Sequence, residues 1–293
     1  MKTFRKTLQG TGFPITAELI LRRETTIDEA LRQAELLSGS VDAIQVTESP
    51  GYRAQVAPLA LAALLIRQGI DPVPRLSCRD RNRIALQSDL LGLRALGVSS
   101  LVLINGSPLP EGNALNARPV FEVTCPELVA MAHSMNEEDW SETAHEFIIG
   151  TGATVFAPEQ GWSADSLRAR AMAGARFLLT QPCFNLKLLQ KYMHGLVAAK
   201  LTWKYSVIVT LAPLPSADMA RWLAQHQRDV LIPDVLIDRL DNSPNPEQEG
   251  IDICASLMKE FAKLPGVSGI NLLTLGKPEA AIAAIEASGL RSH

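Results

Sequence analysis

The chain has 293 residues, of which 47% are hydrophobic and 20% charged, with a formal net charge of −3 and a pI of about 6.0. That is enough apolar material for a large buried core. It excludes a disordered chain and gives no electrostatic reason to expect a nucleic-acid or membrane-surface partner.

The polar start, Met1 to Gly10, does not read as a signal peptide, and no run of about eighteen apolar residues follows to span a membrane. Cys78, Cys125, Cys183 and Cys254 lie far apart without a CxxC pair, the pattern of free thiols in a reducing compartment. A cytoplasmic protein is the expectation. In chain order, short β-rich apolar runs then alternate with stretches of helical period. Strands are predicted at Ile15–Leu21, Ala43–Val46, Pro72–Leu76 and Ser100–Ile104, then at Phe147–Gly150, Phe177–Leu179, Val207–Leu211 and Gly269–Leu275. Several are continuous apolar runs, as strands buried on both faces tend to be.

Between the strands, Ile27, Ala30, Leu31, Ala34 and Leu37 follow helical spacing, as do Leu86, Leu90, Leu93 and Leu96. Pro126 and Pro233 suit the first turn of a helix. Pro246-Glu247 opens a late helix carrying Ile251, Ala255, Met258 and Ala262, and Glu279–Ala287 is the last. Eight βα units in 293 residues are roughly 37 residues each, the scale of a (β/α)8 TIM barrel. No linker or charge block divides the chain, so a single barrel over residues 1–293 is expected, with a doubly wound open sheet as the rival.

In a barrel, chemistry sits at the carboxyl ends of the strands. Those positions hold Glu18 in the first strand, Thr47-Glu48 after the second and Arg75 ending the third. Asn105-Gly106-Ser107 follows the fourth strand, Thr180-Gln181 the sixth, and Thr274 stands at the eighth. Two irregular stretches, Asn105–Thr124 and Gly150–Trp162, are candidate binding loops. Glu18 is the most informative residue, a carboxylate in an otherwise mostly apolar strand. Pointing inward, it is disfavoured in its ionised form by burial, which suits a general acid near neutrality. Pointing outward, it is a strand glutamate paired with an arginine such as Arg22. Gln181 can donate to and accept from a heterocycle such as a pterin, or be a solvated loop amide. Arg75, Arg79, Arg81 and Arg83 suit phosphates or carboxylates, or form an ion-paired face.

Other signals are weaker. Gly150-Thr151-Gly152 opens like a dinucleotide fingerprint, but Val155 stands where the third glycine belongs. The histidines show no metal-ligating spacing, and Cys183 has no nameable partner histidine. No lysine ends a strand to form an aldolase-type Schiff base.

Taken together, the strand-end segments resemble the methylenetetrahydrofolate reductase family, from about Thr16 to Leu290. The matching blocks are DAIQVTESPG (42–51), VPRLSCRDRNR (73–83) and DLLGLRALGVSSLVLINGSP (89–108). They continue with AGARFLLTQPCFN (173–185), IPDVLIDRL (232–240), EGIDICASLMKEF (249–261) and GVSGINLLTLG (266–276). The resemblance implies a (β/α)8 barrel that reduces 5,10-methylenetetrahydrofolate to 5-methyltetrahydrofolate, with FAD carrying hydride from NADH or NADPH in most members. It gives Glu18 the role of protonating N10 to open the substrate's five-membered ring. It sets Gln181 against folate with Phe184 just beyond, and places Thr47, Gly106, Ser107 and Arg170 around the cofactor; Arg75 is counted with that cofactor set and Asn105 with the substrate.

Departures cluster on the flavin side. The family's Arg-Gly-Asp after strand four reads Asn105-Gly106-Ser107, and its histidine ending strand three is Arg75. Its Pro-Glu-x-His-Pro is Pro158-Glu159-Gln160-Gly161-Trp162, and its Thr-Tyr-Gly is Thr47-Glu48-Ser49. Some relatives pass hydride directly from NAD(P)H to folate, and this pattern suits such an enzyme, with Glu48 as a replacement carboxylate near the substrate. The alternative is a redox-silent folate-binding barrel serving a methyl-transfer system. A homo-oligomer is compatible with either.

Overall fold

The eight apolar runs form parallel strands that close on one another in chain order. A computed structural model describes residues 3–19, 21, 25–48, 54–110, 112–113, 115–137, 146–159, 161–226 and 230–291. Helix α1 (Phe4–Gln9) precedes β1 (Ile15–Leu19), followed by α2 (Ile27–Ser38), β2 (Ala43–Val46), α3 (Pro58–Arg67) and β3 (Pro72–Ser77). Next come α4 (Arg83–Ala95), β4 (Ser100–Ile104), α5 (Cys125–Ser134), β5 (Ile148–Ala153), α6 (Asp165–Met172) and β6 (Phe177–Pro182). The chain continues through α7 (Leu186–Ala198), β7 (Ser206–Leu211), α8 (Ala217–His226), α9 (Asp234–Asn242) and α10 (Pro246–Ala262), to β8 (Val267–Leu273) and α11 (Pro278–Ser288). Strand β8 pairs with both β7 and β1, which completes a closed (β/α)8 barrel and rules out the open sheet.

Local chemistry sets the helix starts. Thr26, Asn82, Asn185 and Asn245 each accept a first-turn amide with a side-chain oxygen. Thr124 and Glu127 form a reciprocal capping box on α5, with Pro126 in its first turn. Pro233 caps α9, and proline opens α10 and α11. Apolar stripes such as Ala30, Ala34 and Leu37 on α2 pack onto the outer face of the barrel.

Two boundaries differ from the sequence reading. Strand β5 continues through Gly150, Thr151 and Gly152 to Ala153, and pairs with β6 from Gly150↔Phe177 to Ala153↔Thr180. Gly150 is there for space, because a Cβ would come 2.2 Å from the Phe177 ring. No nucleotide-binding glycine turn forms at this point. Helix α1, which the sequence reading left as a polar segment, caps the amino-terminal end of the barrel. Thr3 caps it, and Phe4 stacks edge-on against Phe177 with centroids 5.0 Å apart.

The barrel interior is layered. Phe4, Val73, Val102, Ile148, Phe177 and Ile208 fill its amino-terminal half. Polar side chains from β1, β2, β7 and β8 occupy the half above, so the strand order carries the interior from apolar floor to polar mouth.

Candidate functional site

Strand β1 sends Ile15, Ala17 and Leu19 outward into the helix-facing core and turns Thr16 and Glu18 inward. Glu18 is buried at the carboxyl end of the strand. Arg75 on β3 donates from Nη2 to Glu18 Oε2 at 3.0 Å, and Asn271 on β8 donates from Nδ2 to the same oxygen at 3.4 Å. Asn271 also accepts the Thr16 hydroxyl at 2.8 Å and donates to Thr210 Oγ1 at 3.4 Å, while Thr210 donates to the Thr180 carbonyl at 2.6 Å. A hydrogen-bonded chain thus crosses the mouth from Thr180 through Thr210, Asn271 and Glu18 to Arg75. The structure gives Glu18 the partner Arg75; Arg22 lies outside the described residues.

Arg75 and Thr180 also line a cavity of about 710 Å3 over the carboxyl ends of β4, β5 and β6. Asn105, Gly106 and Ser107 form one wall, and Gln181 and Arg170 another. Gly106 takes φ +83°, and a Cβ there would lie 2.8 Å from Arg79 Cβ, so the turn after β4 requires glycine. Gln181 accepts the Val155 N–H at 2.8 Å and donates to the Val155 carbonyl at 3.4 Å, fastening the loop after β5 to the cavity wall. Arg170 on α6 donates from Nη1 to Thr151 Oγ1 at 2.9 Å and to the Gly152 carbonyl at 2.7 Å. Phe156, Trp162 and Tyr192 form an aromatic cluster at the far side. Among the described lining residues two are cationic and none is acidic, which suits an anionic ligand.

The remaining sequence candidates lie elsewhere. Glu48 pairs with Arg81, which also holds Asp89 at 2.7 Å, and it lines a separate cavity of about 250 Å3 with Gln55 and Arg79. Thr47 is buried, its carbonyl accepting from Gln55, and lines neither cavity. Phe184 is part of the hydrophobic core, away from the cavity lining. Arg79 forks onto Asp80 with two bonds of 2.7 Å, and Arg83 pairs with Glu127 at 3.6 Å, so the arginine cluster is an ion-paired face. All four cysteines are buried free thiols. Burial pushes Cys78 and Cys254 up to about 12 and Cys183 up to about 11, which leaves no thiolate near neutrality. Sequence reasoning missed Asn271, Thr210 and Tyr192, each hidden within an apolar or helical run. Among the described residues, no group of three or more His, Cys, Asp or Glu side chains is placed to hold a metal ion. Nor is any helix of theirs long and apolar enough to cross a membrane.

Compared with known families, the sequence matches methylenetetrahydrofolate reductase over residues 5–289, nearly its whole length. The chain belongs to the methylenetetrahydrofolate reductase family. No curated protein sequence matches it. Among solved structures it is similar to a Yersinia pestis DHPS with a pterine-sulfa conjugate, at 12% identity and a TM-score of 0.47, covering 94% of this chain and 93% of that one.

Methylenetetrahydrofolate reductases generally bind FAD. The cavity's size falls within the range of cofactor sites, about 300–1,000 Å3. The start of α6 faces it through Ser163, Ala164 and Ser166, and Ala164 at the N-cap supplies no side-chain bond to the first-turn amides. The Asp165 N–H at this helix start is taken by Ser163 Oγ at 3.3 Å, so the donors that suit the pyrophosphate of a dinucleotide, whether FAD or NAD(P)H, are Arg170 and the serine hydroxyls. No carboxylate of the described residues lines the cavity.

Proposed function

We propose that the chain reduces 5,10-methylenetetrahydrofolate to 5-methyltetrahydrofolate, with NAD(P)H as the ultimate hydride donor. The observation that carries this reading is a buried glutamate at the barrel mouth, bonded to an arginine that also lines an acid-free cavity of about 710 Å3. Family membership supplies the chemistry to which that arrangement is suited. Four buried free thiols are consistent with a reducing, cytoplasmic setting.

In this reading Glu18 donates its proton to N10 of the substrate as the N10–methylene bond breaks. The five-membered ring opens and leaves an N5 iminium. Hydride adds to the methylene carbon, the iminium electron pair returns to N5, and the product carries an N5-methyl group. Glu18 is left as the carboxylate and takes a proton before the next turnover. Asn271 and Arg75 hold the acid's Oε2 in place and so fix the direction from which N10 is reached. Gln181 is the amide assigned to the pterin ring. Arg170, Ser163 and Ser166 would hold a dinucleotide. A flavin held by these residues would supply hydride carriage between NAD(P)H and folate. Glu48 has no part in this scheme, because its carboxylate is engaged by Arg81 in another cavity.

The test is oxidation of NADH or NADPH by the purified protein, measured with and without methylenetetrahydrofolate and with and without added FAD. Folate-dependent oxidation is expected, and Glu18→Gln should lower turnover by about 10²–10⁴-fold while folate binding persists. A flavin band that survives gel filtration and bleaches with NAD(P)H identifies the flavin route; activity from a colourless protein identifies direct transfer. The absence of a carboxylate from the cavity lining favours a second reading, a redox-silent folate binder. Folate binding without NAD(P)H oxidation would establish that reading and overturn the first.

A further inference from the structure

The opposite end of the barrel carries a cavity that the proposed chemistry does not use. It encloses about 530 Å3 between α1, the start of β5 and the turns that lead into β6, β7 and β8. Strand β5 alone is six residues long, which is about 20 Å at about 3.3 Å per residue. The apolar floor containing Phe4, Ile148 and Phe177 closes the barrel between this cavity and the mouth.

Three cationic side chains line it, Arg5, Arg176 and Lys204, against one carboxylate, Glu146. Glu146 lies 3.5 Å from Arg5 Nη2. The Arg176 guanidinium donates to the carbonyls of Ala171 and Ala175, and neither it nor Lys204 has an ion-pair partner among the described residues. At the rim stands Trp203, 89% exposed, the most exposed large apolar side chain among the described residues. Its exposure is built in. Lys200 turns the chain after α7 with φ +57°, the Lys204 N–H donates to the Leu201 carbonyl at 2.9 Å, and the buried Tyr205 anchors the turn by donating to the Leu167 carbonyl at 2.7 Å. A pinned turn thus supplies an indole and an ammonium to the same cavity that two guanidinium groups line. Indole stacks on flat rings, and unneutralised cations attract anions.

We propose that this cavity is a second binding site, for a mononucleotide-sized ligand that joins a flat aromatic ring to a phosphate or carboxylate. The ring stacks on Trp203, and the anion is met by Arg176 and Lys204. The proposal does not depend on the reductase reading.

The test titrates the full-length protein, following tryptophan fluorescence and, in parallel, equilibrium dialysis. AMP is the ring–phosphate probe, p-aminobenzoylglutamate the ring–carboxylate probe, and ribose 5-phosphate the ringless control. At least one of the two aromatic anions is expected to bind saturably, about tenfold or more tighter than ribose 5-phosphate. Trp203→Phe should remove the fluorescence change. Arg176→Ala and Lys204→Ala should each weaken binding several-fold with an unchanged melting temperature, and Arg170→Ala in the other cavity should leave it unaltered. If AMP alone binds, the phosphate source is identified; if p-aminobenzoylglutamate alone binds, the carboxylate source. No saturable binding of either probe, or binding that Arg170→Ala abolishes and Lys204→Ala spares, overturns the proposal.

Discussion

Asn271 holds the barrel mouth together more than its setting in an apolar strand suggests. One amide links Glu18, Thr16 and Thr210, and it is fully buried. Removing it takes one hydrogen bond from each of three buried polar groups, so Asn271→Ala should cost about 1–3 kcal/mol in urea unfolding. In the proposed reaction it should also lower kcat more than it raises KM, because the acid loses its orientation while the cavity walls remain. Gly150 makes the opposite point, that an absent side chain can be essential. Gly150→Ala places a methyl 2.2 Å from the Phe177 ring and should lower stability by about 1–3 kcal/mol, read as a fall in melting temperature. Glu18 was legible in the sequence because a carboxylate interrupts apolar neighbours. Its partner Arg75 was not, because 57 residues separate them and only strand pairing through β2 brings them together. Asn271 stayed hidden for a related reason. A single polar residue within a strand of apolar neighbours carries no periodicity, and its meaning comes from its partners on two other strands, β1 and β7.

The elements divide in the same way. Strands β1 to β8 were legible because buried parallel strands are written as short apolar runs, and Pro126 and Pro246 marked the first turns of α5 and α10. Helix α1 was not, since six residues are too few to show a helical stripe and only Phe4 is buried. What holds α1 is tertiary. The Phe4 N–H donates to Asp71 Oδ2 at 2.8 Å, and Thr7 donates to Asp42, which also accepts the Ile15 N–H and pairs with Arg291. Burial, reinforced by the nearby Asp42 charge, raises the Asp71 carboxyl from 3.8 to about 7. The unfolded chain releases that proton near its ordinary value and the folded chain keeps it to about 7, so folding takes up a proton in between. Stability from this site is therefore complete below about pH 4 and is lost as the pH rises towards 7, by on the order of 4 kcal/mol in the limit. Asp71→Asn keeps an acceptor for Phe4 without the charge. Relative to the unsubstituted protein it should gain stability between pH 5 and pH 8, and unfolding curves at those two values measure the difference.

For the whole molecule, the barrel has two unlike ends. The mouth joins a polar network to a cationic cavity, and the floor is a plug of side chains with no exposed surface, including Phe4, Val73, Val102, Phe177 and Ile208. Truncating the plug should be expensive, and Phe4→Ala is expected to cost about 3–5 kcal/mol and to lower the melting temperature accordingly. Strand number and even spacing made the closed barrel legible from the chain alone, whereas the plug required knowing that an amino-terminal helix folds back under the strands.

The plug also governs traffic. With the floor shut, Glu18 is approached from the mouth alone, so the barrel is a vessel with one opening. Any ligand that covers this opening also seals the network beneath it from bulk water, so in the proposed reaction the substrate is its own stopper.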